Sequence, residues 1–284
     1  MLTIPGPGLP TSKTQPPLRR FGTPVQFSVH AQGPESRGGF AESGSPSRLA
    51  VWPHGYFAGM AGPWQLTARY DEWADWYEDY VTGEARGFTD RAGRALDAVL
   101  GPGTGPVLDL ACGTGVHAAR LRTLGWTPLG LDLSAGQLRH ARRRIPVVMA
   151  DAAVPPLRPG GLAAVAAVMC HTDLDDYPAA CRALVPALRP GGVFAHVGCH
   201  PCFVGAFADR ADPARVAITP GYWRRERSFE AWSPRGVRAR VGALHLPLGD
   251  LLSALTGAGL IIEHAAEFGD PVPDILAVRC RRPG

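Results

Sequence analysis

The chain has 284 residues, of which 45% are hydrophobic and 19% are charged, and its formal net charge is +4. This composition supplies enough apolar surface for a folded core, and the charge is too small to indicate a nucleic-acid or membrane-surface partner. The longest apolar run, residues 162–170, is far shorter than the roughly 20 residues that a membrane span needs. With no secretory pattern at the start, the six cysteines are expected to be free thiols in a reducing cytoplasm.

Residues 1–62 differ in composition from the rest of the chain. They are crowded with Pro, Gly and Ser and show no apolar periodicity, which favours disorder. Residues 63–284 carry periodic apolar patterns and are expected to form the folded domain. Met60 stands just before this domain. One hypothesis places the native start near Met60, and the alternative is that the upstream segment is a partner-binding tail.

The domain opens with a predicted amphipathic helix at residues 68–81. Tyr70, Trp73, Ala74 and Tyr77 recur at helical spacing and share one face of that helix. A helix of this kind can pack its aromatic face onto a sheet, and its tyrosines can also line a pocket. The sequence alone leaves both roles open.

The most informative stretch is residues 107–115, Val-Leu-Asp-Leu-Ala-Cys-Gly-Thr-Gly. An apolar run typical of a buried parallel strand ends in a glycine turn, and a helical pattern follows at 116–124. Gly113 and Gly115 let a ligand approach the main chain closely. The spacing also fits a loose dinucleotide-binding pattern, but the carboxylate of Asp109 would repel a diphosphate and would attract an ammonium or a sulfonium.

Strand and helix patterns then alternate, which predicts an α/β fold with a parallel sheet between two helical layers. Predicted helices cover 89–100, 177–188, where Asp175 or Asp176 is the expected cap, and 248–258. Predicted strands cover 107–112, 127–133, 146–150, 162–169, 193–197, 260–266 and 275–280.

An acidic residue followed by x-x-x-Gly-x-Gly, here from Asp109 to Gly115, resembles the first motif of the class I S-adenosylmethionine-dependent methyltransferases that act on small molecules. Further acids at the ends of the next two strands, Asp132 and Asp151, extend the resemblance from Ala68 to the C-terminus. It implies a Rossmann-like, doubly wound, mostly parallel seven-stranded sheet with an antiparallel last strand. It also implies S-adenosyl-L-methionine as the cofactor and a small molecule as the methyl acceptor.

The resemblance assigns roles to residues at the strand ends. Asp132 corresponds to the acid that binds both ribose hydroxyls, Asp151 to the acid that binds the adenine amino group, and Ala152 to the amide on the ring. Capping of the next helix by Asp132 and a plain turn at Asp151 remain open. The full implied donor site comprises Tyr70, Tyr77, Asp109, Ala111, Gly113, Gly115, Asp132, Leu133, Asp151, Ala152 and Cys170.

Two histidines are candidates for a general base, which a hydroxyl acceptor would need. His171 directly follows the predicted fourth strand, and His200 follows the fifth. Oxygen is the expected acceptor atom, ahead of nitrogen and carbon. We expect no metal, because the spacing of the nearby Cys and His residues does not fit a zinc finger and helix capping accounts for the acids at 173–176.

Residues 198–246 form a long insertion between the fifth strand and the helix at 248–258. Residues 238–246 alternate and are predicted to form an additional strand. In the resembling family this region covers the substrate, and its aromatic residues favour an apolar or aromatic small molecule. These aromatic residues include Tyr222, Trp223, Phe229 and Trp232.

The acceptor class is narrowed by the sequence after the fourth strand. That stretch reads Cys-His-Thr-Asp and lacks the Asp/Asn-Pro-Pro-aromatic motif of nucleic-acid amino methyltransferases, so no nucleic-acid partner is expected. The alternatives are an NAD(P)-dependent oxidoreductase on the same kind of sheet and a non-enzymatic module that only binds the cofactor. Either a monomer or a homodimer is compatible with the sequence.

Overall fold

The computed structural model describes residues 68–212, 214–231 and 236–284. The prediction for residues 1–62 therefore lies outside the described part of the chain. The helices are α1 (Ala74–Thr82), α2 (Arg86–Leu100), α3 (Ala118–Thr123), α4 (Ala135–Ala141), α5 (Tyr177–Leu184), α6 (Val237–Val241) and α7 (Leu248–Gly257). The strands are β1 (Gly105–Leu110), β2 (Trp126–Asp132), β3 (Val147–Met149), β4 (Leu162–Val168), β5 (Leu188–Cys199), β6 (Ala208–Asp209), β7 (Ala217–Ile218), β8 (Ile261–Phe268) and β9 (Ile275–Arg281).

Seven of these strands form one sheet in the order β3-β2-β1-β4-β5-β9-β8. The first five strands are mutually parallel, and β9 runs antiparallel to both of its neighbours. The predicted Rossmann-like, doubly wound sheet with an antiparallel last strand is confirmed. The strand order reverses beside β1, so the carboxyl ends of β1, β2 and β4 meet at the crevice where such sheets bind ligands.

The sheet is buried on both faces, and alternate residues of each strand point to opposite faces. Leu108 and Leu110 of β1 belong to a core with α5 and α7, whereas Val107 belongs to a core with α2. All seven residues of β4 are buried, which is why this central strand is an unbroken apolar run in the sequence. The cores fix the sheet, and its carboxyl edge then positions the loops that carry polar groups.

Two predicted elements differ in the structure. The first helix begins at Ala74 rather than at residue 68, because residues 69–73 form turns that lie against α4. The additional strand predicted at 238–246 is wrong, since α6 occupies its first half. Val237 and Val241 are four residues apart and so suit one face of a helical turn as well as they suit a strand. Gly242, with φ +67°, ends that helix.

The fifth strand also begins earlier than predicted. Leu188 already pairs with Leu162, and the register shifts before Ala164 pairs with Val193. The remaining predicted helices and strands are present with ends that shift by a few residues. Among the described residues, no helix combines the length and hydropathy that crossing a membrane requires.

Candidate active site

The loop after β1 is shaped by left-handed backbone. Ala111, Gly113 and Gly115 have φ values of 48°, 54° and 75°. A Cβ on Gly115 would lie 3.3 Å from the Cα atom of Ala141, so the loop packs closely on α4. The backbone amide of Gly113 donates a hydrogen bond to Asp132 at 2.8 Å. The turn is thus held against the end of the neighbouring strand.

Asp132 ends β2 and bridges two loops. Its Oδ2 atom accepts from Gly113 N and its Oδ1 atom accepts from Ser134 N, both at 2.8 Å. Burial raises the pKa of Asp132, although these backbone hydrogen bonds oppose the rise. A carboxylate has about four lone-pair positions. The two oxygens therefore keep capacity for two further donors, which fits a pair of ribose hydroxyls.

Asp109 lies near the end of β1 and is only 1% exposed. Its Oδ2 atom has no hydrogen-bond partner within the described residues. Burial raises the pKa of Asp109 to about 8, and the Asp132 carboxylate adds to the rise. An unpaired buried carboxyl group is costly. A positively charged ligand at this edge would favour the ionised form of Asp109, so the residues present fit a cationic nucleoside.

The segment before α1 is anchored to the start of α4. Asp71 accepts from the Ser134 hydroxyl at 2.7 Å and from Gly136 N at 3.0 Å. A Cβ on Gly136 would lie 2.7 Å from the backbone oxygen of Asp71, so this approach requires glycine. Asp71 was not among the residues assigned from the sequence, although it lies in the Tyr-Asp pair at the start of the predicted helix.

Two further acids of α1 extend the same contact. Asp75 lies 2.8 Å from His140 Nε2, and Glu78 forms a bidentate ion pair with Arg144. Arg144 also donates to the backbone oxygen of Thr114 in the glycine loop at 2.6 Å. Helix α1 is thus tied both to α4 and to the loop that it covers.

Tyr70 and Tyr77 lie over the loop, with their ring centroids 5.3 Å apart in an edge-to-face arrangement. A Cβ on Gly113 would lie 3.7 Å from a ring carbon of Tyr77. The Tyr70 hydroxyl donates to Asp173 Oδ1 at 3.0 Å. Burial raises the pKa of Asp173 to about 6, against the effect of this hydrogen bond. The structure therefore brings both tyrosines to the predicted donor site.

The other residues predicted for the donor site lie just after the carboxyl ends of β2, β3 and β4. Asp151 is exposed, and its carboxylate accepts from Ala153 N at 2.8 Å. Ala152 is buried beside it, and Ala150 N bonds to the backbone oxygen of Asp132 at 3.0 Å. The remaining two members are Leu133, partly buried after β2, and Cys170, buried after β4.

His171 is buried after β4, beside the central part of the sheet edge. Its ring centroid lies 5.0 Å from that of His196 and 6.1 Å from that of Tyr177. Its Nδ1 atom has no partner in the described residues. Burial holds the pKa of His171 well below its usual value, and His196, His245 and Arg238 lower it further. The imidazole is therefore neutral near pH 7 and can accept a proton.

His200 is placed differently. Its Nε2 atom lies 2.6 Å from Glu267 Oε1, and its Nδ1 atom accepts from Cys202 N at 3.1 Å. Both ring nitrogens are thus engaged by the protein, which leaves neither free to take a proton from an acceptor. Of the two predicted histidines, His171 is the better candidate for a base.

The insertion contacts the loop after β4. Leu244 N donates to the backbone oxygen of Thr172 at 2.8 Å, and Arg227 donates to that of Asp173 at 3.0 Å. A cavity of about 100 Å³ lies within the insertion and is lined by Arg238 and His245, among others. Arg238 was not predicted, because arginine is abundant throughout this sequence and gave no local signal.

Metal ligation was weighed for the acids at 173–176 and for the Cys and His residues at 196–202. In the structure, Asp175 pairs with Arg69 at 3.1 Å and with Arg227 at 2.9 Å. Asp176 accepts from Ala179 N at 2.7 Å and so caps α5 as predicted. Within the described ranges, no group of three or more potential ligands could hold a metal ion.

Comparison with known proteins agrees with this geometry. Residues 107–192, from β1 to the start of β5, match the family model for a methyltransferase domain. A curated relative, the dTDP-3-amino-3,4,6-trideoxy-alpha-D-glucopyranose N,N-dimethyltransferase of Streptomyces venezuelae, is 25% identical over 177 residues. The match covers 60% of this chain and 65% of the relative, so it spans less than two thirds of the relative's length.

Solved structures share the fold. An S-adenosylmethionine-dependent methyltransferase from Mesorhizobium loti is 26% identical, with a TM-score of 0.55 over 66% of this chain and 96% of that one. The geranyl diphosphate C-methyltransferase of Streptomyces coelicolor A3(2) is 15% identical, with a TM-score of 0.52 over 72% of this chain and 84% of that one, a likeness of fold alone. The domain match, the sheet order and the likeness to a solved S-adenosylmethionine-dependent methyltransferase together support a class I S-adenosylmethionine-dependent methyltransferase.

Proposed function

We propose that the chain binds S-adenosyl-L-methionine and transfers its methyl group to an oxygen or nitrogen atom of a small-molecule acceptor. The observation that carries this proposal is a pair of carboxyl groups at neighbouring strand ends. Asp109 is buried without a hydrogen-bond partner among the described residues, and Asp132 is half-buried with spare acceptor capacity. A cationic nucleoside would favour the ionised form of Asp109 and be attracted by it, whereas a diphosphate would favour the protonated form and gain no attraction.

S-adenosyl-L-methionine supplies a methyl group on a positively charged sulfur, which leaves as a neutral thioether. Because the leaving group is good, the chain contributes mainly by holding the acceptor atom close and in line. Asp132 would hold the ribose, the glycine loop would admit the amino-acid part, and Tyr70 and Tyr77 would close the site from above. The tie between α1 and α4 keeps these tyrosines in place.

His171 is the proposed general base. Neither of its ring nitrogens takes part in a hydrogen bond that the described residues show, and its lowered pKa keeps it unprotonated. The Tyr177 hydroxyl and His196 Nδ1 lie 2.8 Å apart. This hydrogen bond holds the His196 ring, which packs against His171. A positioned base of this kind contributes about 10² to 10⁴-fold when a hydroxyl or an ammonium must lose a proton.

The insertion and the curated relative both support a small molecule as the acceptor. By its name, the Streptomyces venezuelae enzyme methylates an amino group on a nucleotide-linked sugar. Nitrogen therefore joins oxygen as a candidate atom. The insertion adds a cavity lined in part by Ala243, and the next residue, Leu244, bonds to Thr172 in the loop after β4, so part of an acceptor would be held on this side of the site.

Two experiments test this function. Calorimetric titration should show binding of S-adenosylhomocysteine and no binding of NADH or NADPH, and the opposite result would favour the oxidoreductase. Incubation with methyl-labelled S-adenosyl-L-methionine and a panel of small alcohols, phenols and amines should then give a labelled product. Cofactor binding with no turnover over the whole panel would favour the non-enzymatic module.

A further inference from the structure

The insertion holds a guanidinium group that the fold does not use. Arg238 is partly buried on α6 and lines the cavity, and no described residue forms a hydrogen bond or an ion pair with its guanidinium group. Its neighbour on the same helix, Arg240, instead lies 3.9 Å above the ring of Trp76 on α1. An arginine withdrawn from water without an internal partner is expensive unless a ligand supplies the anion.

The surroundings of Arg238 add to its positive charge. Arg227 comes close enough to lower the pKa of Arg238, and its Nη1 atom is buried without a partner. His245 lines the same cavity, and its Nε2 atom is buried without a partner among the described residues; burial lowers the pKa of His245 to about 4, so it offers a hydrogen bond rather than a charge. Within the described residues, the Arg238 guanidinium, Arg227 Nη1 and His245 Nε2 thus have no hydrogen-bond partner, whereas Arg227 Nη2 is held by Asp173 and Asp175.

Acidic groups near the cavity do not satisfy this charge. Glu226 and Glu230 line it too, but they are 74% and 70% exposed and lie 3.7 and 3.6 Å from Arg224. The pKa of Arg238 is lowered mainly by burial, and Asp173 offsets this only in part. The acids therefore sit at the rim with Arg224, and the inner part of the cavity remains basic.

From this arrangement we infer that the acceptor carries an anionic group, a carboxylate or a phosphate, which Arg238 binds with help from Arg227 and His245. This inference rests on the proposed methyl transfer and names the class of acceptor for the same site. The cavity of about 100 Å³ holds only a few water molecules, which suits one charged group rather than a whole acceptor. The rest of the acceptor would extend past Thr172 toward His171.

The test uses the full chain with and without S-adenosylhomocysteine, and the probes are pyrophosphate, inorganic phosphate and acetate at constant ionic strength. Binding is followed as the rise of the thermal unfolding midpoint. At least one probe should bind the unchanged protein, and Arg238→Gln should weaken it about 10- to 100-fold, since a charge-assisted hydrogen bond is lost. Arg238→Lys should retain part of the binding because it keeps the charge. The probe that binds best distinguishes a phosphate from a carboxylate.

Arg215→Gln is the matched control, because Arg215 is 78% exposed, pairs with Asp212 and does not line the cavity. It should bind the probe as the unchanged protein does. If no probe binds, or if Arg238→Gln and Arg215→Gln respond alike, the inference is overturned. Binding of S-adenosylhomocysteine is read separately, and its absence in the unchanged protein would instead overturn the proposed function.

Discussion

The two sides of the site differ in how the chain builds them. The donor side consists of backbone turns and acids at the ends of β1 and β2, and its position follows from the order of the sheet. The acceptor side consists of arginine and histidine side chains from an insertion that has little regular structure. The charges are opposite, acidic toward the donor and basic toward the acceptor. In the proposed function, the sheet would select a cationic cofactor while the insertion would select the acceptor.

The largest effect on turnover is expected from substitution of His171, where the donor side and the proposed acceptor side meet. His171→Gln should lower the turnover number about 10² to 10⁴-fold, because it removes the proposed base. The affinity for S-adenosylhomocysteine should stay unchanged. Steady-state kinetics with an acceptor from the panel, together with calorimetry, separate these effects. His264→Gln is the control on exposed β8, and a His171 variant with full turnover would rule out the base.

A smaller effect is expected on the donor side alone. Asp132→Ala should weaken S-adenosylhomocysteine binding roughly 10- to 100-fold, because it removes a carboxylate that accepts hydrogen bonds from the ligand and from the glycine loop. Calorimetric titration measures the change. Asp209→Ala removes an exposed carboxylate from the insertion and should leave the affinity unchanged. Equal affinities for the two variants would refute the role of Asp132.

The packing of α1 and the segment before it on α4 can be tested by substitution of Gly136. Gly136→Ala places a Cβ 2.7 Å from the backbone oxygen of Asp71 and 3.0 Å from the Ala74 side chain. Overpacking of this kind costs about 1–3 kcal/mol and should also weaken cofactor binding several-fold. Gly249→Ala, in the first turn of α7 with nothing within 4 Å, should stabilise the protein slightly. Urea unfolding compares the two, and equal stabilities would contradict the close contact.

A final effect concerns the pH dependence of stability. The carboxyl of Asp109 ionises near pH 4 in the unfolded chain and only at about 8 in the folded protein. Between these values the folded state holds the extra proton, so this group lowers stability as the pH rises, by at most about 1.4 kcal/mol per unit. Asp109→Asn should therefore gain stability relative to the unchanged protein between pH 5 and pH 8, as measured by urea unfolding. If the stability of both proteins changed with pH in the same way, this would contradict a buried and unpaired Asp109. Asp209→Asn is the control.

The donor side could be predicted from the sequence because its signals are local. An apolar run, an acid and a glycine turn lie within nine residues, and the parallel sheet brings Asp109 and Asp132 to one edge. The acceptor side could not be predicted, because Arg227 and Arg238 are brought together only by contacts of the insertion with the loop after β4. The alternation at 238–246 even suggested a strand where α6 forms.

The most direct test of the central claim is a crystal structure of the chain with bound S-adenosylhomocysteine. We predict that the ribose hydroxyls lie within hydrogen-bond distance of the Asp132 carboxylate and that the nucleoside is covered by Tyr70 and Tyr77. A nucleoside bound elsewhere, or a ribose that does not contact Asp132, would contradict the account.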